Sequence, residues 1–267
     1  MTHFEILLIG HADFVVVGIL VIVLSIAMLR NAVRDNNANE WLFLAAVAVL
    51  PGEGIAASIV TSLSHLRPGK IDLYICWIDG LVGYPEFHIG KFVNAHLWAS
   101  ILSSISYSLL GSAMLATFAI YLRRRSECET LTVAIAFILN LFAAIPIYLL
   151  FPVCGPIYAF PDFPALPPQH LVPHLLVLSF PPNGLPSVHT STALLVFYFL
   201  RHWHVGRTIG AIFLALTVFS TLGGGEHYLF DLICAIPYSI GIVWCADCIS
   251  RWALLNQAKI SVRMARR

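Results

Sequence analysis

Residues 131–151 read LTVAIAFILNLFAAIPIYLLF, without one Asp, Glu, Lys or Arg. As a helix, a run of this length and composition crosses about 30 Å of hydrocarbon. The polar Asn140 in its middle is expected to make a packing hydrogen bond to a neighbouring helix. Comparable runs recur along the chain. Of its 267 residues 59% are hydrophobic and 11% charged, against about 25% charged in soluble domains. Length alone would allow one or two soluble domains, but composition overrides that prior. Seven spans are expected, near Ala12–Leu29, Trp41–Leu63, Leu97–Leu122, Leu131–Phe151, Val188–Trp203, Thr208–Leu222 and Tyr228–Leu254. The fold class that follows is all-α, a polytopic membrane helical bundle forming a single integral membrane domain over residues 1–267.

Charge placement orients the bundle. Twelve of the fifteen Lys and Arg fall after the first, third, fifth and seventh spans, and only Arg67, Lys70 and Lys91 fall on the other side. The basic side is assigned to the cytoplasm, which puts the N-terminus outside and residues 255–267 in a basic cytoplasmic tail. Met1–Leu29 has no Lys or Arg, so it is expected to be a first span and not a signal peptide. Residues 64–96 and 152–186 become long outer segments. The first is expected to carry an interfacial helix. The second holds ten of the fifteen prolines, and its apolar stretch His170–Phe180 is expected to rest on the bilayer as a cap. A net charge of +1 says nothing about partners; membrane lipids and no nucleic acid are the expected ones. The six Cys follow no disulfide framework and read as small buried hydrophobes, although Cys76 and Cys154 share the outer side. Ser100, Ser104, Ser108 and Ser112 recur every four residues, the pattern of a close-packing stripe.

Two short segments carry chemistry. Pro186-Ser187-Val188-His189 opens the fifth span. A helix start leaves backbone N–H groups unpaired and partly positive, which suits an anion; Ser187 adds a hydroxyl and His189 an imidazole. About forty residues later His227-Tyr228-Leu229-Phe230-Asp231 opens the seventh span. Positions i and i+4 share a helix face, so Asp231 is placed to accept the Nδ1–H of His227 and leave Nε2 basic. The preceding Gly223-Gly224-Gly225 would let the backbone approach a phosphate. Alternation of the spans brings both segments to the outer face.

Pro-Ser-x-His, one hairpin, then His-x-x-x-Asp resembles the type 2 phosphatidic acid phosphatase superfamily over roughly residues 148–237. The His-Tyr-x-x-Asp form, with Val in place of Gly in the first motif, is more similar to its inositol phosphorylceramide synthase and sphingomyelin synthase branch. The resemblance implies a six-helix core and an enzyme that is a phosphatase or a phosphotransferase. It implies His227 as the nucleophile forming a phosphohistidine, Asp231 orienting it, His189 as acid and base, and Ser187 on a phosphate oxygen. It implies no metal and no cofactor, a lipid phosphate as substrate, and a site on the non-cytoplasmic side of a plasma or inner membrane.

The chain departs from that pattern. The expected Lys-x6-Arg-Pro motif has no counterpart at Phe151–Tyr158, and Thr221 stands where the third motif has Arg. Phosphoryl transfer wants fixed cations, so Lys91 or Arg67 is expected to enter the site. Glu53, in Pro51-Gly52-Glu53-Gly54, is a mid-membrane carboxylate that reads as lining a headgroup pocket or a proton path, or as a protonated or hydrogen-bonded helix-packing residue. Two alternatives use the same residues: a proton-coupled transporter relaying through Glu53, His227 and Asp231, or a non-catalytic lipid-binding relative.

Overall fold

A computed structural model describes residues 59–62, 67–124, 126–168 and 170–265, with side chains to Leu255. Glu53, the first expected span and nearly all of the second lie outside the described residues. The elements run β1 Gly69–Lys70, α1 Asp72–Gly80, α2 Pro85–Ala95, α3 Leu97–Ser108, α4 Leu110–Arg124, α5 Glu127–Phe142, α6 Ala144–Leu150, α7 Pro156–Ala159, β2 Leu176–Val177, α8 Val188–Leu200, α9 His204–Gly223 and α10 Leu229–Ala265. The protein is an all-α bundle, and its only described strands form one two-residue ladder.

Three helical stretches are long and apolar enough to cross a membrane: Glu127–Leu150, His204–Gly223 and Leu229–Leu255. The expected third span is the pair α3 and α4, bent by 48°. The bend sits where Ser104 Oγ and Ser108 Oγ donate to the carbonyls of Ser100 and Ser104, at 3.0 and 2.9 Å. Such back-bonding bends helices. Ser100 and Ser104 are exposed, and Ser108 and Ser112 are half-buried. The fifth span, α8, has only 13 residues.

The apolar core is built by α4, α5, α8 and α10, through Met114, Phe118, Val133, Phe137, Leu195, Phe199, Ile242 and Ala246. Lipid is as apolar as these side chains, so shape and hydrogen bonds must hold the helices. Asn140 supplies several. Its Nδ2 donates to Thr192 Oγ1 at 2.9 Å, its Oδ1 accepts from Ser191 Oγ at 2.5 Å, and its carbonyl accepts from Tyr238 Oη at 2.7 Å.

The described parts of segments 64–96 and 152–186 form a second layer beside this core. They are stitched together by the antiparallel pairs Gly69–Val177 and Lys70–Leu176. The interfacial helix expected in 64–96 is two helices, α1 and α2. A separate cluster of Ile75, Cys76, Phe87, Val153, Leu185 and Tyr228 lies beneath them. Burying a Phe from water stabilises by about 1.5–3 kcal/mol, and Phe87 is wholly buried here. Tyr74, Trp77, Leu81, Val172, Leu175 and Val177 remain exposed on the outer segments. All six cysteines are free thiols.

Candidate active site

Ser187 ends the proline-rich segment and caps α8. Its Oγ accepts the Thr190 N–H at 3.2 Å, which satisfies one of the unpaired donors of the first turn. His189 therefore projects from a fixed turn and is half-buried. The second motif is tied to the first through the backbone, because the Ser187 N–H donates to the Asp231 carbonyl at 3.2 Å.

That tie brings the imidazoles into contact. His189 Nδ1 lies 3.1 Å from His227 Nε2, with ring centroids 5.4 Å apart. His227 Nδ1 lies 3.0 Å from the Gly184 carbonyl. A carbonyl can only accept, so Nδ1 of His227 carries the proton and Nε2 offers a lone pair. His189 Nδ1–H then donates to that lone pair. The Tyr107 hydroxyl lies 3.4 Å from the same Nδ1, and its ring stacks on His189 at 4.4 Å. Burial pushes His227 well below the usual imidazole range, to about 4, although the Gly184 bond opposes this. At neutral pH His227 is thus an uncharged, nucleophilic imidazole.

Asp231 differs from its expected part. Its Oδ2 is 3.7 Å from His227 Nδ1, beyond a hydrogen bond, and the orienting acceptor is the Gly184 carbonyl. Oδ2 instead accepts the Tyr228 N–H at 2.9 Å. It thereby closes half of a capping box at the start of α10. Its Oδ1 is buried without a hydrogen-bond partner. With His227 neutral, the 3.7 Å contact is not an ion pair.

The glycines have a packing reason. Gly225 has φ +71°, and a Cβ there would meet the Phe163 ring at 2.7 Å. At Gly223 a Cβ would strike Val93 at 2.6 Å. The space expected for a phosphate at these two positions is filled by side chains.

Of the expected cations, Arg67 and Lys91 are both exposed. Among the described residues neither makes a hydrogen bond or ion pair with His189, His227 or Ser187. Lys70 is fully buried and its ammonium donates to the Arg67 carbonyl; burial lowers its pKa. Next to His227 in the chain stands a carboxylate instead: Glu226, half-buried, accepts the Tyr158 hydroxyl at 3.2 Å. Burial raises the pKa of Glu226. Among the described residues no group of three or more His, Cys, Asp and Glu is arranged to hold a metal ion.

Two further acids, absent from the motifs, support the site. Asp72 is wholly buried and accepts from Gly155 N at 2.8 Å, from Cys154 N at 3.1 Å and from Tyr228 Oη at 3.3 Å. Asp79 is buried at the start of α10, where its Oδ2 accepts from Leu229 N at 2.6 Å. The seven-residue interval between them, two turns of helix, was a usable signal, since both acids share a face of α1.

No curated protein and no solved structure matches the chain. The family model of the PAP2 superfamily matches residues 79–245, more than half of the chain, and takes in both imidazoles, Asp79 and Asp231. An integral membrane protein of phosphatase type, the chain belongs to the PAP2 superfamily.

Proposed function

We propose that the protein transfers a phosphoryl group or a phospho-headgroup from a lipid phosphate at the outer leaflet, through a phosphohistidine on His227. The observation that carries this reading is the 3.1 Å contact between His189 Nδ1 and the lone pair of a neutral His227. A substrate phosphate entering between the rings takes the His189 proton as a hydrogen bond and frees Nε2. Neutral His189 takes the acidic proton of the bound phosphate monoanion on its free Nε2; the His227 Nε2–P bond then forms as the P–O bond to the lipid breaks, and that proton passes from His189 to the leaving oxygen. In the second half an acceptor hydroxyl attacks phosphorus, gives its proton to His189 and releases His227. Acid–base assistance of this sort contributes about 10²–10⁴-fold.

Asp231 supports the nucleophile by holding the first turn of α10. Ser187 contributes through the α8 turn, whose N–H groups suit a phosphate oxygen. The acceptor is water in a phosphatase and a lipid hydroxyl in a synthase. The absence of the Lys and Arg of the phosphatase motifs at 151–158 and 221 favours the inositol phosphorylceramide synthase-like reading. The placement of twelve of fifteen basic residues on the opposite side supports a site on the non-cytoplasmic face.

The test is a screen of short-chain lipid phosphates in detergent, with and without diacylglycerol or ceramide as acceptor. Wild type should release phosphate or exchange a headgroup, and His227→Ala should do neither. An acid-labile, base-stable phosphoenzyme should be trapped on wild type alone. Equal turnover by His227→Ala would refute the assignment.

A further inference from the structure

We propose that Asp79 is a positioning residue for this chemistry, fixing the first turn of α10 and with it His227 and Asp231, and that Glu86 is the neutral partner that lets Asp79 keep that seat. The inference rests on the phosphoryl-transfer reading.

The geometry is that of a cap supplied from outside the helix. A helix start leaves its first N–H groups without partners. In α10 two of them, on Leu229 and Phe230, are taken by Asp79, at 2.6 Å to Oδ2 and 3.1 Å to Oδ1. A negative charge there also meets the positive end of the helix dipole. His227 lies two residues before Leu229 and Asp231 two after, so the turn Asp79 holds is the turn that spaces them. Asp72, two turns back on α1, grips Tyr228 and the 154–155 backbone. The short helix α1 thus holds the entry to α10 at two points.

Glu86 completes the arrangement from α2. It is wholly buried, and its carboxyl donates a hydrogen bond to the Asp79 carboxylate, which requires a proton on Glu86. The groups that face it are Asp79 and the Cys76 thiol on α1, the Tyr84 phenol before α2, and Asp231 on α10. None of these is a cation. A second carboxylate charge here would repel Asp79 and Asp231 and push α2 away from the start of α10. Burial first, with Asp79 adding to it, raises Glu86 to about 8, and burial likewise raises Asp79. A carboxyl raised in the folded state binds its proton more tightly there than in the unfolded chain. Its contribution to stability is therefore whole below the unfolded value and is lost as pH rises towards 8.

Three variants of the full chain in detergent test this: Asp79→Ala, Asp79→Asn and Glu86→Gln. Turnover of a short-chain lipid phosphate is read beside amide hydrogen exchange over residues 227–235. Asp79→Ala should lower kcat by about 10²-fold, the loss expected of a misplaced catalytic group, with KM changed less than about threefold. Exchange at Leu229 and Phe230 should be at least about tenfold faster, with the rest of α10 unchanged. Asp79→Asn keeps one acceptor oxygen, so it should restore most of kcat and speed exchange at one of the two amides only. Wild type should lose activity between pH 7 and pH 9 relative to Glu86→Gln, which cannot ionise. Unchanged kcat and unchanged exchange in Asp79→Ala would overturn the positioning role. The same pH 9 to pH 7 ratio in wild type and Glu86→Gln would overturn the part given to Glu86. Should Asp79→Ala fail to fold, exchange in Asp79→Asn decides: no change at either amide sinks the proposal. If wild type turns over no lipid phosphate, the functional reading falls, and the exchange measurements still judge the contacts.

Discussion

The two histidines stand at helix starts of different construction. The first turn of α8 is closed by its own neighbour, Ser187, whose hydroxyl reaches three residues forward. The first turn of α10 is closed partly from within, by Asp231 reaching back to Tyr228 N, and partly by Asp79, 150 positions away in sequence. The imidazoles follow suit. His189 is half-buried between Tyr107 and His227, whereas His227 is 1% exposed and held by the Gly184 carbonyl. Under the proposed chemistry the acid–base group stands on a locally capped turn, and the nucleophile is fixed from several directions at once.

The comparison is broken most directly by removing each ring in turn. His189→Ala should slow turnover by about 10²–10⁴-fold, and His227→Ala by at least as much. Because the rings act on one phosphate, the double variant should be scarcely worse than the worse single one. Multiplied losses, measured as kcat/KM on one lipid phosphate, would mean that the two histidines work separately.

Their different burial gives the next largest effect. His227 is neutral in the folded protein down to about pH 4, against about 6.5 in an unfolded chain. Its folded-state pKa is depressed, so the unfolded state binds the extra proton between these values. Stability should therefore fall as pH drops from about 6.5 to about 4, by about 3 kcal/mol from this group. Denaturation of wild type and of His227→Asn across that window measures it; equal slopes would show that the ring is less enclosed than its surroundings imply.

A third test strikes the remote support of α10. Gly155 has φ +113°, and a Cβ there would lie 2.3 Å from the Glu226 carbonyl oxygen, next to the N–H groups that Asp72 holds. Gly155→Ala should destabilise by more than about 2 kcal/mol. The melting temperature should drop, and a substrate at saturation should not restore full turnover.

What the sequence made legible follows the same division. The spans around residues 131–151, 208–222 and 228–254 could be read because a membrane helix must satisfy its backbone internally and be apolar over its length. Asn140 could be read because a lone amide in such a run must find a partner. The capping role of Ser187 and the meeting of the two motifs at one face needed only local rules and alternation. The support of His227 did not obey local rules. Its orienting acceptor is a backbone carbonyl, which any residue at position 184 would carry. Asp72 and Asp79 carry no local sign of what they hold, because the groups they bind lie some 80 to 150 residues downstream. Only their side of the membrane singles out Lys91 and Arg67, and side says nothing about the direction of a side chain.

The smallest effect concerns Ser187 itself. A cap that serves only its own turn is worth about 1 kcal/mol, so Ser187→Ala should destabilise by that amount and no more. Its oxygen accepts the Thr190 N–H, yet the hydroxyl hydrogen is not consumed by that bond and remains available to a phosphate oxygen. The two uses separate in kinetics. Capping alone predicts a lower melting temperature with KM unchanged at a temperature where both proteins are folded. Contact with substrate predicts a KM several-fold higher at that temperature, a difference no loss of helix stability supplies. Ser187→Thr, which keeps cap and hydroxyl, should then recover both, provided the added methyl fits a position that is 0% exposed. If Ser187→Ala instead loses as much kcat as His189→Ala, the α8 turn is no more self-sufficient than that of α10, and the contrast between the two helix starts dissolves.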